Sequence, residues 1–291
     1  MKNPVILDFD NSVGTFDSSI NIDLSGWQDR IRYATTFSNF RQLELELENQ
    51  MPETYGPVFL GSGDYHHVSQ LLIKHCHKHL KQEPLTLIVI DNHPDNMRYP
   101  FGIHCGSWIS HAASLPFVDH VHVVGITSGD IGVKHAVENR LKPLMSNKLT
   151  YWSTKVDVSW ANILGLKNAF QTFANVDDMM SAFISSIYKE NLPIYLSIDK
   201  DALSPQFIHT NWDQGEMEPR HLTDLITNIG FRLEACDITG EVSNYTYHSF
   251  WKSLLSKLDG QTTVSNELVT KWQKEQHELN SKLLETLSAY L

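Results

Sequence analysis

Six short apolar runs constrain this chain more than any other feature: Val5–Phe9, Val58–Leu60, Leu85–Ile90, Val121–Val124, Ile194–Ile198 and a stretch around Leu233–Ile238. Each stops at polar or glycine residues. Nearly continuous Val, Ile and Leu runs of this length suit strands covered on both faces. Helical spacing fills the gaps. His67–Leu80 places Leu71 and Leu72 toward a core, and Val176–Tyr188 repeats Met179, Met180, Phe183, Ile184 and Ile187 after Asn175 as a cap. Alternating strands and helices predict an α/β fold, a parallel sheet with helices on both faces. In such sheets ligands sit beyond the carboxyl ends of the strands, so chemistry is expected just after the apolar runs.

From Thr263 to Leu291 the spacing of Val264, Leu268, Trp272, Leu279, Leu283 and Leu287 predicts one long helix. Packing on its own sheet is the first reading; a dimer helix is the second, which leaves a homo-oligomer open. With no Pro/Gly/Ser-rich linker among 291 residues, one domain over 1–291 is expected.

Thirty-four acidic against 23 Lys and Arg residues give a net charge of −11. That excess disfavours nonspecific nucleic-acid binding, which needs basic patches against phosphates. It is compatible with cationic substrates or metal ions. Three scattered cysteines, Cys76, Cys105 and Cys236, fit a reducing compartment rather than a disulfide framework. The N-terminal residues read straight into a strand and no run approaches the roughly 20 apolar residues of a membrane span. A cytoplasmic protein without membrane partners is expected.

The chemistry follows the runs as anticipated. Asp91-Asn92-His93-Pro94-Asp95 comes directly after Leu85–Ile90. In an extended chain alternate side chains share a side, so Asp91, His93 and Asp95 can converge while Asn92 and Pro94 face away. Ile194–Ile198 likewise ends in Asp199-Lys200-Asp201. Carboxylates this close repel unless cations neutralise them. Two divalent ions nearly balance four aspartates and a hydroxide, and hard oxygens with neutral imidazole favour manganese. A lone Asp pair at a strand end is more often a cap; two sets, each after a buried-type strand, favour metal. A third piece, Gly61-Ser62-Gly63-Asp64-Tyr65-His66-His67, offers His66, with His67 as its alternative. His75, His77 and His79 lie inside the predicted helix and read as a solvated face.

Together these residues resemble the arginase, agmatinase and formiminoglutamase family of ureohydrolases, in four motifs dispersed over residues 61–241. Asp91-Asn92-His93-Pro94-Asp95 is similar to the family's Asp-Ala-His-x-Asp. Ser197-Ile198-Asp199-Lys200-Asp201-Ala202-Leu203-Ser204-Pro205 is similar to its Ser-x-Asp-x-Asp-x-x-Asp-Pro, with Ser204 in place of the last Asp. His104 resembles the family's loop histidine, and Glu241 the glutamate of Asp-Ile-x-Glu-Val-Asn, with Gly240 as an extra residue. Tyr65 interrupts the first motif, which reads Gly-Gly-Asp-His-Ser in the family.

The resemblance implies a three-layer α/β/α sandwich with a mainly parallel, about eight-stranded sheet. It implies two Mn2+ held by His66, Asp91, His93, Asp95, Asp199 and Asp201, between which water is activated for hydrolysis. Catalytic roles fall to Asp95, which orients the water, Asp201, which moves its proton, His104, which protonates the leaving amine, and Glu241, which pairs with the guanidinium. Asn96–Ile103 lacks the hydroxyl-rich character with which the family's free-arginine enzymes read an α-carboxylate. The expected substrate is therefore arginine within a peptide, converted to ornithine and urea, as in the family's peptide-arginase branch. The alternatives are an agmatinase- or formiminoglutamase-like hydrolase of a small molecule, a one-zinc lysine deacetylase of the same fold, and a metal-binding scaffold without turnover.

Overall fold

A computed structural model describes residues 2–80, 83–248, 251–254 and 264–291. Nine strands form one sheet: β1 (Val5–Asp8), β2 (Ile20–Asp23), β4 (Val58–Gly61), β5 (Leu85–Ile90), β7 (Val118–Ile126), β8 (Leu149–Thr154), β9 (Phe170–Phe173), β10 (Ile194–Asp199) and β11 (Leu233–Thr239). Two short strands, β3 (Ala34–Thr35) and β6 (Ile103–His104), pair antiparallel beside it. The large sheet runs β2-β1-β4-β11-β10-β5-β7-β8-β9. Every neighbouring pair in it is parallel.

Central strands explain their own composition. β5 and β10 are buried along their whole length. Leu85, Leu87, Val89 and Tyr195 enter one apolar cluster, whereas Ile88, Ile90, Ile194, Leu196 and Ile198 enter another on the opposite face. Each such side chain contributes about 1.5–3 kcal/mol on burial, so neither face tolerates a polar residue cheaply. The first cluster is roofed by helices Phe37–Gln50, Ser69–His79 and Trp108–Ala113, the second by Val176–Ile187, Pro219–Ile229 and Asn266–Leu287. The result is a three-layer α/β/α sandwich.

All six apolar runs are strands, and the sheet has nine strands rather than about eight. The runs overlooked the edges: β2 reads Ile-Asn-Ile-Asp with one buried residue, and β9 reads Phe-Gln-Thr-Phe. Edge strands are covered on one side only and need no continuous apolar run. The helix expected over His67–Leu80 opens as a 3-10 turn at Gly63–Val68 and becomes α-helical at Ser69–His79. His75 and His77 are not simply solvated, because His75 Nδ1 lies 2.9 Å from the Tyr55 hydroxyl and His77 stacks on Phe117 at 3.7 Å; the His79 side chain lies outside the description. The last helix, Asn266–Leu287, buries Leu279, Leu283 and Leu287 against its own sheet; Thr263 lies outside the described residues. Among the described residues no helix is long and apolar enough to cross a membrane.

Candidate metal centre

The parallel register does what neither motif does alone. Ile198 on β10 pairs with Ile90 on β5 and with Ile238 on β11. The residues that follow, Asp91 and Asp199, therefore leave the sheet side by side at its carboxyl edge. Beyond them lies a cavity of about 400 Å³, whose wall includes His66, Asp91, His93, Asp95, His104, Asp199, Asp201 and Pro94. Pro94 thus lines the cavity instead of facing away.

Two ligand groups share one carboxylate. His66, Asp91 and Asp199 form the first, and Asp91, His93 and Asp201 the second. His66 Nδ1 lies 3.2 Å from Asp91 Oδ2, 3.1 Å from Asp95 Oδ2 and 3.5 Å from Asp199 Oδ2. On the other side His93 Nδ1 lies 3.5 Å from Asp91 Oδ1 and 2.9 Å from Asp201 Oδ2. The two oxygens of Asp91 thus face different histidines, as a bridging ligand requires. Asp95 stands at the margin of the first group; its Oδ2 also accepts the Trp108 indole N–H at 2.8 Å. A left-handed backbone at Asp95, φ +44°, turns its carboxylate inward.

Charge tests whether cations fit. Buried side by side, Asp199 is pushed well above the usual carboxylate range by desolvation and by Asp201. Desolvation and Asp91 push both Asp95 and Asp201 up to about 7. Although burial opposes it, Asp91 and Asp95 hold His66 well above the usual histidine value. Without cations the cluster can only borrow protons. His66 Nδ1 and Asp91 Oδ2 are both buried and make no hydrogen bond. Oxygen and imidazole ligands with uncompensated charge and orphaned atoms suit a pair of hard divalent ions.

Supporting contacts fix the ligands. His66 Nε2 lies 3.0 Å from Ser197 Oγ, which donates to Asp237 Oδ1 at 2.7 Å. Ser69 and Tyr195 hydroxyls also donate to Asp237, at 3.0 and 2.6 Å. Such a relay leaves Nδ1 of His66 turned to the carboxylates. His93 Nε2 lies 2.7 Å from Asp213 Oδ1. Asn92 bridges the rim, donating to the Asp213 carbonyl at 3.1 Å and accepting from Thr127 Oγ1 at 2.7 Å. None of these partners was found from the sequence. Ser197, Asn92 and Asp237 lay inside motifs but were given no supporting role, and Ser69, Thr127 and Asp213 carry no spacing signal.

The remaining expected residues divide. His66 faces the carboxylates, whereas His67 packs beside Phe40 at 5.8 Å, away from the cavity. His104 lines the cavity, its ring edge-on to Tyr33 at 4.4 Å and its Nδ1 accepting from Gly106 N at 2.8 Å; burial pushes its pKa down to about 4. Glu241 is the correction. It is buried and absent from the described cavity wall; its Oε1 takes the Lys200 ammonium and the Asn280 amide, the latter at 2.6 Å. Lys200 lies between two ligand aspartates, so its side chain points the other way, into the protein, and claims the carboxylate expected for the substrate. Gly240 makes this close approach feasible. A Cβ there would meet Asp199 Oδ1 at 2.5 Å, and its φ is +94°.

An open parallel sheet carrying two groups of candidate metal ligands at its carboxyl edge defines the class. A sequence profile of the arginase family matches residues 18–239. The chain belongs to the arginase family. A Thermotoga maritima protein described as uncharacterized is 28% identical over 208 residues, 71% of this chain. The match spans 65% of that relative's length. Among solved structures, proclavaminate amidino hydrolase from Streptomyces clavuligerus is similar with a TM-score of 0.53 at 15% identity, covering 96% of this chain and 92% of that one. A Trypanosoma cruzi formiminoglutamase variant, solved with Mn2+, gives 0.55 at 10% identity over 98% and 93%. Formimidoylglutamase from Bacillus subtilis gives 0.53 at 10% over 99% and 88%. At these identities the likeness concerns the fold.

Proposed function

We propose that this chain is a manganese-dependent hydrolase of a guanidino group, acting on arginine within a peptide and releasing urea to leave ornithine. The observation that carries the reading is the pair of ligand groups joined through Asp91. When bound, two such cations lower the pKa of a shared water so that a nucleophile exists near neutral pH. His66, Asp91, Asp95 and Asp199 would hold one, His93, Asp91 and Asp201 the other.

The protein's own groups supply the rest. Asp95, fixed by Trp108, accepts a hydrogen bond from the attacking water and so orients it. Asp201, held by the Asn92 amide at 3.1 Å, carries the proton to the departing nitrogen. His104, in the same wall, relays a proton to the amine product.

Among the described residues lining the cavity there is no lysine or arginine, whereas Asp130, Glu138 and Asp213 are present. A carboxylate tail, as on free arginine or formiminoglutamate, would enter without a counter-ion. A peptide-linked arginine has no such tail. Phe101, Val133 and Val137 are exposed on the segments that carry the cavity-lining Met97, His135 and Glu138, and offer flanking peptide residues apolar surface. An amine-tailed guanidine such as agmatine is the second reading that the acidic rim favours.

Mass spectrometry of arginine-containing peptides incubated with Mn2+-loaded protein tests this: conversion appears as a loss of about 42 Da, with equimolar urea. Turnover of agmatine with intact peptides selects the second reading. Inertness toward every guanidine, with two Mn2+ bound, overturns both.

A further inference from the structure

With Glu241 held by Lys200, the cavity needs another group to recognise a cation. Its wall presents Trp212, half-buried, and beside it Asp213, whose carboxylate is exposed. The backbone here is pinned to both ligand motifs: Gly215 N donates to the Asp201 carbonyl at 2.7 Å, and Asn92 reaches the Asp213 carbonyl at 3.1 Å. The point a Cβ on Gly63 would occupy lies 3.1 Å from Asp199 Oδ2 and 3.2 Å from Trp212 Cδ1. The indole therefore stands near the first ligand group, on the far side of Gly63. It also lies 6.2 Å from the His93 ring, edge-on, in the second. One planar, electron-rich surface spans both.

We propose that the Trp212 indole, flanked by the Asp213 carboxylate, is the surface on which this chain recognises the guanidinium of its substrate, in the role the family resemblance gives to Glu241. This rests on the guanidine-hydrolase reading above. A guanidinium is flat and weakly hydrated, so it stacks on an indole face where a compact ammonium would keep its water. Each Asp213 oxygen accepts one bond inside the protein, from His93 or Asn92, and retains a lone pair for a guanidinium N–H. An uncharged urea loses the cation–π attraction and the charge-assisted bonds and is held more weakly on the same surface.

The test titrates arginine amide, with citrulline amide as its neutral isostere, into protein labelled at the tryptophan indole nitrogens and saturated with diamagnetic Mg2+. Loss of one resonance in Trp212→Phe identifies the signal. Arginine amide is expected to shift it to saturation at concentrations where citrulline amide shifts it little. Trp212→Leu should weaken binding by about threefold to thirtyfold. In the Mn2+ enzyme it should raise KM with a smaller change in kcat, and Asp213→Asn should raise KM as well. Arginine amide binding that leaves the Trp212 signal in place overturns the assignment, as does unchanged KM in both Trp212→Phe and Asp213→Asn. Binding through Trp212 without urea release from any guanidine supports the recognition surface while refuting the hydrolase reading.

Discussion

Replacing Glu241 by glutamine separates the two roles this residue has been given. Lys200 and Glu241 are 0% and 1% exposed, and Asn280 touches both, donating to the carboxylate and lying 3.2 Å from the ammonium. Removing the negative charge strands Lys200 in the interior between Asp199 and Asp201. Breaking one side of a buried pair costs about 3–5 kcal/mol. That is a large part of the ~5–15 kcal/mol by which folded proteins are stable. With a urea dependence of ~2–3 kcal/mol per molar, the midpoint falls by about 1–2.5 M. Urea unfolding followed by tryptophan fluorescence reads it directly. The double variant Lys200→Met/Glu241→Leu removes both charges and is expected to recover most of the loss, since an apolar pair of similar volume replaces a desolvated ionic one. Should Glu241→Gln unfold at the wild-type midpoint while KM rises tenfold or more, the carboxylate reaches substrate and the structural role assigned to it is wrong.

Asp91→Ala and Asp201→Ala are each expected to abolish turnover and to lower bound Mn2+, measured by elemental analysis; full activity in either refutes the ligand set. Mn2+ at a hundredfold over its dissociation constant should stabilise the wild type by about 2.7 kcal/mol, and Asp91→Ala should lose that gain in thermal melts. Ser197→Ala breaks the link from His66 to Asp237 and is expected to weaken Mn2+ binding by about 10- to 100-fold in metal titrations. The buried His104 titrates near 4, below its unfolded value, so between about pH 6.5 and 4 the unfolded chain binds a proton that the native one refuses. Stability is lost as pH falls through that window, by up to about 3 kcal/mol. Subtracting a His104→Gln variant's pH profile from the wild type's isolates the effect, and identical slopes would exclude it.

How much was legible shows at particular residues. Leu85–Ile90 and Ile194–Ile198 announced buried strands because both sheet faces are covered, and the alternation after them placed the candidate ligands. β2 and β9 escaped because edge strands carry a weaker apolar signal. Glu241 was assigned from its motif, yet its partner is the lysine between two ligand aspartates, and a carboxylate's partner is set by packing that local sequence does not encode. Asp213 and Trp212 had no spacing to betray them, and Asp237 stood in the Glu241 motif without a role that the sequence could assign.

Sequence alone determined the layered α/β class, the strand tips that carry chemistry and the residue types gathered there, because periodicity and burial are local properties of the chain. Tertiary structure decided that Asp91 turns one oxygen to each histidine, that Lys200 consumes Glu241, and that the Trp212 indole joins the cavity wall. Those outcomes depend on parallel register and on which buried charges meet first, and both are fixed only when strands more than a hundred residues apart lie side by side.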